Sequence, residues 1–290
     1  SQDYYLLHKS EFENNDYIEE AIENGDLLNF EKLDKIPKII HYCWFGPKEI
    51  PEMEQKCIAS WKKVLPDYKI MFWNEQNFDV NSVPYVREAY EKGKYAFVSD
   101  YVRMYALYNY GGVYFDTDVE VLKPLDKFLE DKAFIGFENR TMIGTGIIGA
   151  EKHSALFEEM LNYYSNHNFV DDNGNIDTTT NVQIISKLLM EQKFEPRNSE
   201  QILSDIHIYE RDVFCPKKMD DGTFAVTDRS VTIHRFSGSW LTEREKKRGT
   251  NLLWRNVMRP ILKKIRAAII QVFGNQTAKR IEAAIRNLLR

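Results

Sequence analysis

The chain has 290 residues, 43% hydrophobic and 29% charged, proportions that exclude a collagen-like, disulfide-scaffold or wholly disordered protein. No apolar run reaches the roughly 18 residues of a membrane-spanning helix, so an integral membrane protein is not expected. The net charge of −5 hides an asymmetry: Leu253–Arg290 holds nine basic residues and one acidic, Glu282, so this tail carries +8 and the body −13. An acidic body with a basic tail argues against nucleic-acid binding and for a tail that meets an anionic surface.

Taken in chain order, residues 1–35 are acidic and polar, with a helix expected at Tyr17–Asn24 and a stop at Gly25. Ile36–Pro47 is a short apolar, β-rich run closed by Gly46-Pro47, read as a buried strand and a loop. A helix over Met53–Val64 and a strand over Tyr68–Trp73 follow, and this order opens an α/β domain. Residues 84–110 read as helices, the second capped by Ser99 with Asp100 in its first turn and stopped by Gly111-Gly112. Val113–Phe115 is a strand that runs straight into Asp116-Thr117-Asp118, and Val119–Val121 continues extended. Further strands are expected at Ala133–Phe137, Gly146–Ala150, Ile206–Tyr209 and Val231–Ile233, with helices at 153–166 and 178–192.

The tail is different in kind. Trp254, Val257, Ile261, Ile265, Ala268 and Val272 recur at steps of three and four, which makes one apolar helical face beside Arg255, Arg259, Lys263, Lys264 and Arg266. Pro260 is expected to kink this helix or begin its second part, and Gly274-Asn275 to break it. The organisation expected is therefore an acidic segment 1–35, a catalytic domain 36–250 and a basic amphipathic tail 251–290. Cys43, Cys57 and Cys215 are too few and too widely spaced for a disulfide framework or a zinc site, and are read as buried free thiols of a reducing compartment. Ser1 opens the sequence without a charged-then-apolar stretch, so no signal peptide is expected.

Four features carry chemistry. Asp116 and Asp118 leave an apolar strand one residue apart, where two like charges that close are resolved by a hard divalent cation or belong to an ordinary surface loop. Asp100 and Arg103 share a helix face three residues apart, which on its own also describes an ordinary surface ion pair. Trp44 ends the first strand, where an aromatic ring stacks on a nucleobase or simply fills the core. His234, in His234-Arg235-Phe236-Ser237-Gly238-Ser239-Trp240, follows a late strand and completes a metal shell or serves the structure alone.

As a set, Ile36-Pro-Lys-Ile-Ile-His-Tyr-Cys-Trp-Phe-Gly, Ser99-Asp-Tyr-Val-Arg, Gly111-Gly-Val-Tyr-Phe-Asp-Thr-Asp and Ile233-His-Arg-Phe-Ser-Gly-Ser-Trp resemble the DxD sugar transferases of glycosyltransferase family 32. That family includes bacterial capsular polysaccharide transferases and yeast initiating mannosyltransferases. The likeness spans roughly residues 36–241, and part of it is similar to the large clostridial glucosylating toxins.

The resemblance implies a GT-A fold (a Rossmann-like mixed sheet flanked by helices), a nucleotide-sugar donor, UDP being the better guess for its base, with a hexose or N-acetylhexosamine as its sugar. It also implies Mn²⁺ or Mg²⁺ and a retaining course. Carried over by residue, Trp44 stacks on the base, and Asp100 and Arg103 hold donor-sugar hydroxyls. Asp116 contacts ribose or sugar and helps the metal, Asp118 ligates it directly, Trp240 touches the diphosphate, and His234 is a third metal candidate. Glu138 and Asn139, after the strand Phe134–Phe137, are expected on the acceptor side; no residue identifies itself as a nucleophile. Capsule-type acceptors are often lipid-linked sugars, so the resemblance implies a cytoplasmic enzyme, peripheral on the inner membrane face through residues 251–290; the other reading of the tail is that its apolar face packs on the catalytic domain or on another copy. Two alternatives stay open here: a toxin-like transferase that modifies protein, and a non-catalytic module that senses a nucleotide sugar at the membrane.

Overall fold

The computed structural model describes residues 35–239, 241 and 259–288. The helix expected at Tyr17–Asn24 and the side chain of Trp240 lie outside the described residues. The described elements are β1 (Ile39–Cys43), α1 (Glu52–Val64), β2 (Lys69–Trp73), α2 (Pro84–Glu91), α3 (Tyr95–Tyr110), β3 (Gly112–Phe115), β4 (Val119–Val121), β5 (Ala133–Phe137), β6 (Ile143–Ala150), α4 (Ala155–Ser165), α5 (Asn181–Glu191), β7 (Gln201–Ile202), β8 (His207–Tyr209), α6 (Arg211–Phe214), β9 (Thr232–His234) and α7 (Arg259–Leu288). They divide into two compact units, one ending at Ser237 and one starting at Gly238.

The first unit is a mixed α/β structure around a seven-stranded sheet of order β2-β1-β3-β6-β5-β8-β7. β1 pairs parallel with β2 and β3, whereas β6 runs antiparallel between β3 and β5. Strands this apolar need cover on both faces. One face carries a core that includes Tyr85, Val98, Val102, Phe157 and Ile185 from α2, α3, α4 and α5. The other carries Trp61 of α1, Phe115, Phe128, Val119 of β4 and Val213 of α6.

Helix α3 starts earlier than the sequence suggests. Lys94 precedes its first residue, so Ser99 lies inside the helix and does not cap it. The reason is local: Gly93 takes a left-handed φ of 65° after α2, and the buried Val98 and Val102 extend one apolar stripe upstream of Ser99. At the other end Gly111 (φ 65°) and Gly112 (φ 121°) turn the chain into β3. A Cβ at Gly111 would stand 2.8 Å from the Lys152 nitrogen, and one at Gly112 would stand 2.5 Å from the Ile39 carbonyl oxygen. No other residue makes this return so tightly.

The three cysteines are free and buried. His41, in the middle of β1, is wholly buried and fully hydrogen-bonded. Its Nε2–H donates to the Gly111 carbonyl (2.8 Å) while Nδ1 accepts from the Trp73 indole N–H (3.1 Å). Burial pushes its pKa down to about 4, against the opposing Gly111 bond, so the imidazole is neutral.

In the second unit α7 begins at Arg259-Pro260, where proline suits a first turn. Gly274 (φ 80°, ψ 166°) interrupts it, as expected for the Gly274-Asn275 break. Ile261 and Ile265 on this helix are exposed. Among the described residues no helix is long and apolar enough to cross a membrane.

Candidate functional site

Asp116 follows β3, the strand beside β1, so it leaves the sheet at the same edge as Trp44, just past β1. The chain turns at once: the Val119 N–H donates to the Asp116 carbonyl (3.1 Å), and β4 begins. Strand β9 then pairs antiparallel with β4 in the register Val119↔His234. This two-stranded ribbon lays His234 against the aspartates. Its anchor to the body is Trp61 of α1, whose indole N–H donates to the Val119 carbonyl (2.7 Å).

The result is one cluster. His234 Nε2 is 3.0 Å from Asp118 Oδ1 and 3.8 Å from Asp116 Oδ2. One ligand atom from each of the three residues lies within 4.8 Å of the others. The remaining oxygens are already held. Asp118 Oδ2 accepts from the Ser237 N–H (2.9 Å), while Asp116 Oδ1 is 3.1 Å from the Arg103 guanidinium and accepts from the Tyr114 hydroxyl (3.2 Å). Thus Asp116 Oδ2, Asp118 Oδ1 and the imidazole converge.

The electrostatics match. Burial disfavours the His234 cation, yet the Asp118 hydrogen bond and the two aspartate charges raise its pKa well above the ordinary value. Asp118 is lowered in return, burial notwithstanding, by the same His234 bond. A divalent cation such as Mn²⁺ or Mg²⁺ fits two carboxylate oxygens and one imidazole in the place of that proton. Gly146 of β6 keeps the spot clear: a Cβ there would stand 2.8 Å from Asp116 Oδ2 and 3.0 Å from His234 Cε1.

Arg103 is not a surface ion pair. Its side chain is buried, 3.5 Å from Asp100 Oδ1, donating to the Thr145 carbonyl (2.5 Å) and resting 4.4 Å from the centre of the Tyr114 ring. Burial works against this guanidinium, but Asp116, Tyr114 and Asp100 hold it charged. Asp100 also accepts from the Asn181 N–H (3.1 Å), and Asn181 Oδ1 accepts from the Thr145 hydroxyl (2.7 Å). A ring of Asp100, Arg103, Thr145 and Asn181 therefore braces Asp116. Burial raises the Asp100 pKa to about 6, with Arg103 opposing.

Thr145, Asn181 and Tyr114 are site residues that sequence reasoning misses. The only local signal is Thr180-x-x-Gln183, whose Gln183 side chain accepts from the Thr180 N–H (2.9 Å) and marks the start of α5. Trp44 is half-buried, its indole N–H donating to the Lys48 carbonyl (2.6 Å). Glu138 lines a pocket with His234. Asn139 instead builds a turn, its side-chain oxygen accepting from the N–H groups of Thr141 and Met142 (3.0 Å each).

Residues 51–135 match the family model described as "Glycosyltransferase sugar-binding region containing DXD motif". The chain is 30% identical over 155 residues to inositol phosphoceramide mannosyltransferase 3 of Schizosaccharomyces pombe, covering 50% of this chain and 43% of that protein. It is likewise 30% identical over 157 residues to mannosyl phosphorylinositol ceramide synthase SUR1 of Saccharomyces cerevisiae, covering 50% and 40%. The matches span less than half the length of these relatives. Among solved structures it is similar to a glycosyltransferase involved in the glycosylation of the major capsid of PBCV-1. That match has a TM-score of 0.42 and 13% identity over 73% of this chain and 97% of the other.

Proposed function

From a chain that carries a glycosyltransferase sugar-binding region containing a DXD motif across residues 51–135, we propose a metal-dependent, retaining transferase that moves a hexose from a nucleotide sugar to a hydroxyl of a lipid-linked saccharide. The observation that carries this reading is the convergence of Asp116 Oδ2, Asp118 Oδ1 and His234 Nε2, with Asp116 Oδ1 locked by Arg103. Asp116, Asp118 and His234 would hold Mn²⁺ or Mg²⁺, which when bound supplies neutralising charge beside a departing diphosphate.

The chain's own residues do the rest. Asp100 accepts hydrogen bonds from donor-sugar hydroxyls, and Arg103 fixes Asp100 and Asp116 in one orientation. Trp44 offers its ring to the nucleobase, and Trp240 is assigned to the diphosphate on the resemblance. Holding donor and acceptor in register removes much of the entropic part of the barrier. The acceptor hydroxyl oxygen bonds to the anomeric carbon, the anomeric carbon–oxygen bond to the diphosphate breaks with its electron pair leaving on phosphate, and the hydroxyl proton departs with that phosphate.

The kinship to mannosyltransferases that act on inositol phosphoceramide favours a mannosyl donor and a lipid-borne acceptor. The sequence resemblance favours a UDP-linked hexose or N-acetylhexosamine and a role in bacterial capsular polysaccharide synthesis. Residues 251–290, with exposed Ile261 and Ile265 among lysines and arginines, suit an anionic membrane surface on the cytoplasmic side. The test is turnover and binding of a UDP-sugar and GDP-mannose panel with Mn²⁺ and with EDTA, in wild type and Asp118→Asn. Metal-dependent turnover of one donor, lost in the variant, is expected. A wild type that binds no donor in the presence of Mn²⁺ refutes the reading.

A further inference from the structure

Beside the carboxylate–imidazole cluster opens a pocket whose wall includes Glu138, Gly144, Gly146, Phe214, Cys215 and His234. Gly144 and Gly146 of β6 both line it, and neither carries a side chain. A Cβ at Gly144 would stand 3.0 Å from Glu138 Oε2, just as one at Gly146 would crowd Asp116. The strand is therefore a smooth floor running from the Glu138 carboxylate to the cluster. The pairing of β5 with β6 slips here, from Ile135↔Ile148 to Gly136↔Gly144, so the extra residues 145–147 lie on β6.

Glu138 is the unexplained group here. Its backbone is tied down, with its N–H donating to the Met142 carbonyl (2.8 Å) and its carbonyl facing the Cys215 thiol (3.9 Å). Its carboxylate makes no hydrogen bond or ion pair within the described residues, although the residue is only partly exposed. It also stands outside the three residues that converge as metal ligands. Burial holds its pKa above the ordinary range, with the charges of His234 and Arg211 opposing and those of Asp116 and Asp118 adding to the rise. A carboxylate wants hydroxyl or N–H donors, and in this pocket a bound hydroxyl would supply one.

We infer that Glu138 is an acceptor-binding residue: it accepts a hydrogen bond from the attacking hydroxyl, of a saccharide or of water, in the pocket floored by Gly144 and Gly146. This inference rests on the transferase reading above and assigns its acceptor side. Glu138 takes no net proton; it orients the hydroxyl oxygen toward the sugar that the Asp100–Asp116 side holds.

The experiment uses the full chain with Mn²⁺, GDP-mannose and UDP-glucose as donor probes, and water or octyl α-mannoside as acceptor. Donor Kd and kcat at saturating donor are measured for wild type, Glu138→Gln, Glu138→Ala and Gly144→Ala, with thermal melts to confirm folding. Glu138→Ala is expected to lower kcat about tenfold or more, the effect of one charge-assisted hydrogen bond, with donor Kd within about twofold. Glu138→Gln keeps one acceptor oxygen and falls between, while Gly144→Ala displaces the carboxylate and follows Glu138→Ala. A donor Kd weakened about tenfold would move Glu138 to the metal or donor side, and a kcat within about twofold would remove it from the site; either overturns the inference. A wild type that binds donor but passes sugar to neither acceptor also overturns it. A wild type that binds no donor sinks the transferase reading first, and the subsite with it.

Discussion

Replacing Arg103 with methionine removes the one cation among the described residues that faces both Asp100 and Asp116. The Arg103 side chain is 7% exposed and that of Asp100 13%, so Asp100 is not simply handed back to water. Breaking a buried pair by deleting one partner costs about 3–5 kcal/mol, a large share of the stability of a single domain. The cost has a pH signature. In the folded wild type Asp100 titrates at about 6, above its unfolded value of 3.8, so it binds more protons folded than unfolded. Its contribution to stability is then fully present below the unfolded value and is lost as pH rises through about 6. Arg103 is the charge that keeps this pKa from going higher. Without it, Asp100 holds its proton to higher pH, and the variant loses a further ~1.4 kcal/mol for each pH unit from about 6 up to the new pKa. Urea unfolding of wild type and Arg103→Met at pH 5 and pH 8 measures both parts. The variant should be several kcal/mol less stable, with the larger gap at pH 8, and Arg103→Met with Asp100→Asn should lose the pH dependence of the gap. A loss under about 1 kcal/mol, or one equal at both pH values, refutes the argument that Arg103 compensates buried carboxylates.

Gly146→Ala should leave the melting temperature nearly unchanged but weaken Mn²⁺-dependent donor binding about 100-fold, because its methyl must displace Asp116 Oδ2 from 2.8 Å; calorimetric titration showing wild-type affinity would count against the convergence of the three ligands. His41 supplies a second pH test: with a folded pKa near 4 against an unfolded 6.5, its contribution is present above pH 6.5 and lost as pH falls toward 4. That is a decline of about 3 kcal/mol, visible in urea melts across this range and flattened by His41→Gln. On the tail, replacing Lys263, Lys264 and Arg266 with alanine should cut binding to phosphatidylserine vesicles roughly 100-fold at about 1 kcal/mol per charge, and equal binding of both proteins in sedimentation would remove the membrane role.

Much of this molecule is legible in the chain because it depends on neighbours a few residues apart. The alternation into strand, helix and strand, the return at Gly111-Gly112 and the delivery of Asp116 and Asp118 at a strand exit follow from apolar period, from glycine's access to positive φ and from charge in an apolar setting. The start of α3 is misjudged for the same kind of reason, since Ser99 looks like a cap until the apolar stripe is extended upstream. The partners of those residues are another matter. His234 meets Asp118 only because β9 pairs with β4 in one register; a slip by a single residue would turn the imidazole to the opposite face. Arg103 and Asp100 are three apart on any helix, but only the packing of α3 against β6 and the start of α5 decides that the guanidinium points inward, onto Asp116 and Thr145. Asn181 is marked only by the capping box that starts α5 and Glu138 only by its place after a strand: the one gains its role from the Thr145 hydroxyl and the other from a bare strand floor. Local chemistry writes the residue types and their elements into the chain, whereas contacts between distant segments, set by strand register and by which faces must be buried, turn those residues into one site.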